Sequence, residues 1–269
     1  MIDDFSLGGK TAIITGAGRG IGKSIALAMA ESGCDVALVS RTEKQLRESC
    51  DYISSFYPSV KCISIASDIT EVSEVGEIVS EVESQFGKID ILVNCAGVFV
   101  MKPFLSGMDN KMDAVPDFNI PMTAEEWQIQ MDTNVTGAFN LTSKVAVHMA
   151  ARKSGKIIFI SSIDAIKGMS YHSAYAATKG AIISLAKNLA VELGRYSINV
   201  NCICPGFVHT DMTDFAHKDE RMRNVMVNMS PFRRVTTPRD VALLAVFLSS
   251  SASDCITGQI ICVDCGVTC

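Results

Sequence analysis

Tyr175 and Lys179 stand four residues apart. On a helix that spacing places both side chains on one face, one turn from each other. An ammonium beside a phenol favours the phenolate, so the pair predicts a tyrosine pKa below its ordinary value of about 10. A phenol tuned in this way can pass a proton to or from an alcohol near neutral pH. Ser162 precedes Tyr175 by thirteen residues, where an apolar run that reads as a strand gives way to a loop. Its hydroxyl could hold the same substrate oxygen. A Tyr-x-x-x-Lys pair alone is more often an ordinary helix face, so the surrounding elements decide.

The first of those elements is the run Thr11, Ala12, Ile13, Ile14, Thr15, short, apolar and β-branched as a buried strand should be. The segment Gly16-Ala17-Gly18-Arg19-Gly20-Ile21-Gly22 follows at once, and then a helical pattern ending near Gly33. Strand, glycine turn and helix together make a phosphate cradle. Glycines let the backbone approach the ligand, and the helix N-terminus favours its negative charge. Further apolar runs at 35–40, 60–65, 89–93, 156–161, 198–203 and 258–263 are separated by helical patterns at 42–56, 72–86, 124–152 and 171–193, with another opened by Thr237-Pro238. That alternation predicts a parallel sheet with helices on both faces.

The string Thr15-Gly16-x-x-x-Gly20-x-Gly22 and the pair Tyr175-x-x-x-Lys179 together resemble the short-chain dehydrogenase/reductase family, and further family motifs fall in order over nearly the whole chain. The resemblance implies one doubly wound, Rossmann-like α/β domain over 1–269. Its seven parallel strands would run in the order 3-2-1-4-5-6-7, with the site beyond their carboxyl ends. It also implies reversible hydride transfer between a nicotinamide and a secondary alcohol or ketone. Tyr175 would handle the proton, and Ser162 would orient the oxygen. Lys179 would lower the tyrosine pKa and bind the nicotinamide ribose. Asn134, in Asn134-Val135-Thr136-Gly137, would hold a water that links the lysine to solvent.

The cofactor contacts that the resemblance implies are Gly16, Arg19, Gly20, Ile21 and Gly22 in the cradle, and Asp68 and Ile69 at the adenine. Asn94, Ala96 and Gly97 would form the turn under the cofactor, followed by Tyr175, Lys179 and then Pro205, Gly206, Val208 and Thr210. Two positions depart from the family pattern: Cys95 stands where a second asparagine is usual, and Cys265 replaces the first glycine of an Asp-Gly-Gly turn. The second strand ends at Ser40, followed by Arg41. An acidic residue there would bind the 2′-hydroxyl of NAD, whereas an arginine accommodates the 2′-phosphate of NADP. With Arg19 as a second cation, NADP(H) is favoured over NAD(H).

A net charge of −5 with no basic stripe leaves no footprint for nucleic acid. No apolar run approaches the roughly 20 residues of a membrane span, and the acidic start lacks the apolar core of a signal peptide. The ten cysteines are mostly scattered through apolar runs, as expected of buried thiols in a reducing compartment; Cys262 and Cys265 have C-x-x-C spacing, but the other close pair, Cys202 and Cys204, lacks zinc spacing. A cytoplasmic protein without a metal site is expected.

Two stretches bear on the substrate. The segment 98–121 is about twice as long as family members use, and both its anchors sit beside the pocket. It should form part of the substrate wall or a lid, with packing against a neighbouring subunit as the alternative. Phe99 and Phe104 could face substrate, with Phe118 among its apolar members and Asp109, Asn110 and Lys111 at a turn. The second stretch, within 205–231, reads as a substrate loop whose Met212, Met222, Met226 and Met229 could line an adaptable apolar wall. Lys102, Lys167 and His172 could meet a carboxylate. The substrate is expected to be a small carbonyl or alcohol: a sugar acid or polyol, a 3-oxoacyl thioester or a hydroxysteroid. A non-catalytic dinucleotide-binding regulator is the alternative, but it would have no use for Ser162, Tyr175, Lys179 and Asn134 together. Small residues on the 171–193 helix fit a homodimer or homotetramer built through it and the preceding helix.

Overall fold

A computed structural model describes residues 3–105 and 120–269. The calls on Asp109, Asn110, Lys111 and Phe118 lie outside the described residues. Seven strands, β1 (Thr11–Thr15), β2 (Asp35–Ser40), β3 (Cys62–Ala66), β4 (Ile91–Asn94), β5 (Gly155–Ile160), β6 (Ile198–Pro205) and β7 (Ile260–Val263), form one sheet in the order 3-2-1-4-5-6-7. Every ladder is parallel; Ile13 of β1 pairs with Ala37 on one side and Leu92 on the other.

The central strands read as unbroken apolar runs because both faces of the sheet are covered. Helices α1 (Gly20–Glu31), α2 (Glu43–Phe56) and α9 (Pro238–Ser249) enclose one core around Ile14, Leu38 and Val93. Helices α3 (Val72–Phe86), α5 (Gly137–Arg152) and α6 (Ser173–Leu193) enclose the other around Ile13, Leu92 and Phe159. Among the described residues no helix is long and apolar enough to cross a membrane.

The long helix expected over 124–152 is interrupted. Helix α4 (Ala124–Met131) opens with a capping box of Thr123 and Glu126, then Asp132–Thr136 widen into one π turn before α5. The cause lies in buried polar side chains on this stretch. Gln130 and Asn134 are buried and receive the N–H groups of Val100 and Val98. Residues 205–231 are likewise more ordered than a loop: they contain α7 (Asp214–Lys218) and α8 (Glu220–Met229). At the C-terminus, Cys265 takes a left-handed φ of 55° where a glycine would be easier. The Asp264 carboxylate holds the turn by accepting from Gly266 N, Thr268 N and the Thr268 hydroxyl.

Candidate active site

The carboxyl ends of β1, β2, β4, β5 and β6 open into a cleft of about 340 Å³. Gly16 and Gly22 pack so tightly at its floor that side chains are excluded. A Cβ on Gly22 would lie 2.3 Å from the Gly16 carbonyl oxygen, and one on Gly16 would lie 2.9 Å from Ala96 Cα. Arg19 caps α1 without a side-chain hydrogen bond, so the first N–H groups of the helix are left for a ligand. This backbone cradle fits a dinucleotide pyrophosphate.

Gly16, Arg19, Gly20, Ile21, Gly22, Ser40, Arg41, Asp68, Ile69, Ala96, Gly97, Pro205, Gly206, Val208 and Thr210 all line the cleft, as do Ser162, Tyr175 and Lys179. Asn94 and Asn134 do not. Asn94 is buried behind it, donating to Thr142 Oγ1 at 2.9 Å. Asn134 is occupied too: its Oδ1 accepts from Val98 N at 2.7 Å, and its Nδ2 donates to Val98 O and to Thr178 Oγ1. Its carboxamide therefore pins the chain leaving β4.

Thr15 opens the glycine motif but is not among the expected site residues. It lines the cleft, and its Oγ1 accepts from both Cys95 N and Ala96 N at 3.0 Å. A polar residue closing an apolar strand beside a glycine turn was the available signal. Cys95, in the usual asparagine position, is half-buried at the cleft, and desolvation pushes its thiol up to about 12, against the opposing pull of Lys179. It is a neutral packing residue.

Lys179 Nζ donates to the Ile160 carbonyl at 2.9 Å and lies 5.4 Å from the centre of the Tyr175 ring. The expected lowering of the phenol is overturned. Burial pushes Tyr175 above its ordinary value, the Asp164 charge adds to this, and a hydrogen bond with Ser162 opposes it only in part. Burial also lowers Lys179. Desolvation outweighs the ammonium: Lys179 is buried and turned to the Ile160 carbonyl, while Tyr175 is half-buried between the two cavities. The Ser162 hydroxyl accepts from Asp164 N at 3.1 Å.

A second cavity, of about 1020 Å³, adjoins the cleft at Ser162 and Tyr175. Met169, Met212, Met222, Met226 and Met229 line it. Phe99 and Met101, at the start of the 98–121 segment, also line it, but Phe104 is exposed and turned away from it. Lys102 and Lys167 do not reach it: Lys102 pairs with Glu126 at 2.6 Å, and Lys167 donates to Val267 O. His172 does line it.

A family model described as enoyl-(acyl carrier protein) reductase matches residues 16–268. The chain is a short-chain dehydrogenase/reductase. Over 259 residues it is 36% identical to 3-oxoacyl-[acyl-carrier-protein] reductase of Staphylococcus epidermidis, covering 96% of this chain and 98% of that one. A 7α-hydroxysteroid dehydrogenase solved with NADH and 7-oxo glycochenodeoxycholic acid superposes with a TM-score of 0.88 at 33% identity, covering 98% and 96% of the two chains. A gluconate 5-dehydrogenase from Burkholderia cenocepacia, solved with NADP and tartrate, gives 0.87 at 32% identity over 99% and 98%. The chain is accordingly an NAD(P)-dependent oxidoreductase acting on CH–OH or keto groups, and the regulator alternative falls.

Proposed function

We propose that this short-chain dehydrogenase/reductase uses NADP(H) to interconvert a ketone and a secondary alcohol carried on an extended, largely apolar body, such as an acyl chain or a fused ring system. The methionine-lined cavity that meets Ser162 and Tyr175 carries this reading. Methionine walls adapt to bulky apolar shapes, whereas a small keto sugar acid would leave most of such a space unfilled. The pairing of Lys102 and Lys167 elsewhere removes two cations that a carboxylate substrate could have used.

The bound nicotinamide supplies or accepts the hydride at the carbinol carbon. In reduction, the neutral Tyr175 phenol donates a proton to the developing alkoxide, and Ser162 holds that oxygen by a hydrogen bond. Lys179 is held by Ile160 beside the phenol, and Gly97 faces it across the site: a Cβ there would meet Asn134 Oδ1 at 3.2 Å and Lys179 Nζ at 3.5 Å. Asn134 fixes Val98 with its carboxamide and, through it, the adjoining Phe99 wall, which leaves its backbone carbonyl as the atom to hold a relay water.

The NADP preference is supported by the absence of a carboxylate at the end of β2 and by the exposed Arg41 and Arg19 at the cleft, 3.6 Å from Asp68 and 3.8 Å from Asp211. Ten thiols without a disulfide support a cytoplasmic setting. Apolar residues left exposed on α5 and α6 support a homodimer or homotetramer. The test is a turnover screen with NADPH and NADH against 3-oxoacyl thioesters, ketosteroids, ketoses and 5-keto-D-gluconate. The reading expects one of the first two classes to lead; a lead by 5-keto-D-gluconate contradicts it.

A further inference from the structure

The site contains a hydrogen-bonded histidine–aspartate pair that the proton chemistry leaves unused. His172 Nδ1 lies 2.9 Å from Asp164 Oδ2, and the side chains are only 16% and 8% exposed. Asp164 comes two residues after Ser162 and His172 three before Tyr175, so the pair is carried by the two segments that deliver the reacting groups. Both residues line the large cavity. The His172 ring meets the Phe99 ring edge-on at 4.8 Å, and Phe99 meets Tyr175 edge-on at 4.9 Å. His172 and Tyr175 thus flank the same aromatic ring and cannot be far apart.

A carboxylate only accepts, so Nδ1 carries the proton shared with Asp164, and that bond fixes the ring's orientation. Nε2, on the far side of the ring, has no hydrogen-bonding partner among the described residues. The wall holds methionines and, further along, His217, Asp219, Glu220 and Arg221; a half-buried imidazole clamped at one nitrogen and unused at the other, and tied through Phe99 to Tyr175, is built to meet a polar atom of a ligand.

We propose that His172, oriented by Asp164, is a specificity-determining residue that hydrogen-bonds a second oxygen of the substrate, within a few bonds of the carbonyl reduced at Tyr175. The inference rests on the cavity reading above and narrows it to ketones that also carry a nearby hydroxyl or carbonyl oxygen. A neutral ring accepts from a hydroxyl through Nε2, and a charged ring donates to either oxygen. The redox step is unchanged: hydride reaches the carbonyl carbon and a proton reaches its oxygen.

Three probes share a six-carbon ketone: 3-hexanone, 1-hydroxy-3-hexanone and ethyl 3-oxohexanoate. Each is assayed with the better of NADPH and NADH. Both oxygenated probes can react faster for intrinsic reasons, so the informative quantity is the change on mutation. His172→Phe keeps a ring against Phe99 and removes the polar nitrogen. For at least one oxygenated probe kcat/KM should fall at least about tenfold, mostly through KM, while that for 3-hexanone stays within about twofold. The arm that falls tells hydroxyl from carbonyl recognition. His172→Gln, which keeps donor and acceptor, should recover part of the loss, and Asp164→Asn should show a smaller loss on the same probe.

Equal losses on all three probes would mean a structural role and overturn the inference, as would no loss on any. A wild type that reduces both ketone types, with a ratio His172→Phe leaves unchanged, overturns this inference alone. A wild type that reduces 5-keto-D-gluconate but none of the three probes overturns the cavity reading and this inference together.

Discussion

The proposed proton donor, Tyr175, is half-buried where the two cavities meet, with its would-be activator, Lys179, turned to a backbone carbonyl. Burial that raises the phenol favours its neutral form, which reduction needs, and disfavours the phenolate, which alcohol oxidation needs. Raising the pH fills the phenolate only as it approaches that elevated value. Alcohol oxidation should therefore accelerate steadily into the alkaline range, while ketone reduction stays level from neutral pH upward until the phenol begins to ionise. Paired pH–rate profiles with one alcohol and its ketone check this; an oxidation rate already flat at neutral pH contradicts it. Tyr175→Phe removes the transferable proton and little else. Turnover should drop by about 10²–10⁴-fold, the usual scale for a lost general acid, with NADPH affinity in a fluorescence titration nearly unchanged. Near-native kcat would sink the assignment.

At the scale of elements, two strand ends and one helix defect set the site. The π turn at Asp132–Thr136 places Asn134 where its carboxamide holds both the N–H and the carbonyl of Val98. Such turns often mark functional positions. Asn134→Ala leaves those backbone groups without their partner, at a cost of about 1–3 kcal/mol, and loosens the Phe99 wall. The variant should melt lower and show a raised substrate KM; an unchanged melting temperature with unchanged kinetics removes the role. At the end of β2, Ser40→Asp combined with Arg41→Ile supplies a carboxylate and removes a cation. The ratio of kcat/KM for NADPH over NADH should move towards NADH by at least about tenfold. A wild type that already favours NADH refutes the NADP proposal outright. These elements were legible to different degrees. The parallel sheet followed from β-branched runs alternating with helical patterns, because parallel strands buried on both faces leave an apolar trace, whereas the strand order came from the family resemblance. The π turn did not, since one turn of i→i+5 bonding shifts the helical pattern by a single residue, too little to stand out, and the bonds that accompany it run to Val98 and Val100, outside the helix. The Tyr175 environment was misread for a related reason: spacing fixes which groups are neighbours, whereas desolvation depends on everything packed around them.

At the scale of the molecule, both faces of the sheet leave large apolar groups in the open, among them Tyr52, Phe56 and Leu243 on the side of α2 and α9. Helices α1 and α9 carry buried apolar stripes against one core. On the other side, α4, α5 and α6 leave large apolar groups in the open: Trp127 and Ile129, Phe139 and Val147, and Val191 at 83% exposure. Gly180 on α6 adds room for close approach, since a Cβ there would meet nothing within 4 Å. Scattered surface apolar residues need no explanation, but this many on three consecutive helices fits a covered face. A two-fold contact would apply the same helices twice, so one substitution would act on both sides of the interface. Phe139→Glu places two carboxylates into that interface while touching neither the glycine cradle nor Tyr175. By sedimentation or light scattering, the wild type should be a dimer or tetramer and the variant a smaller species. Because α6 also carries Tyr175 and Lys179, loss of the contact should lower kcat rather than NADPH affinity. A monomeric wild type rules out the assembly, and a variant that keeps its full mass moves the interface to another face.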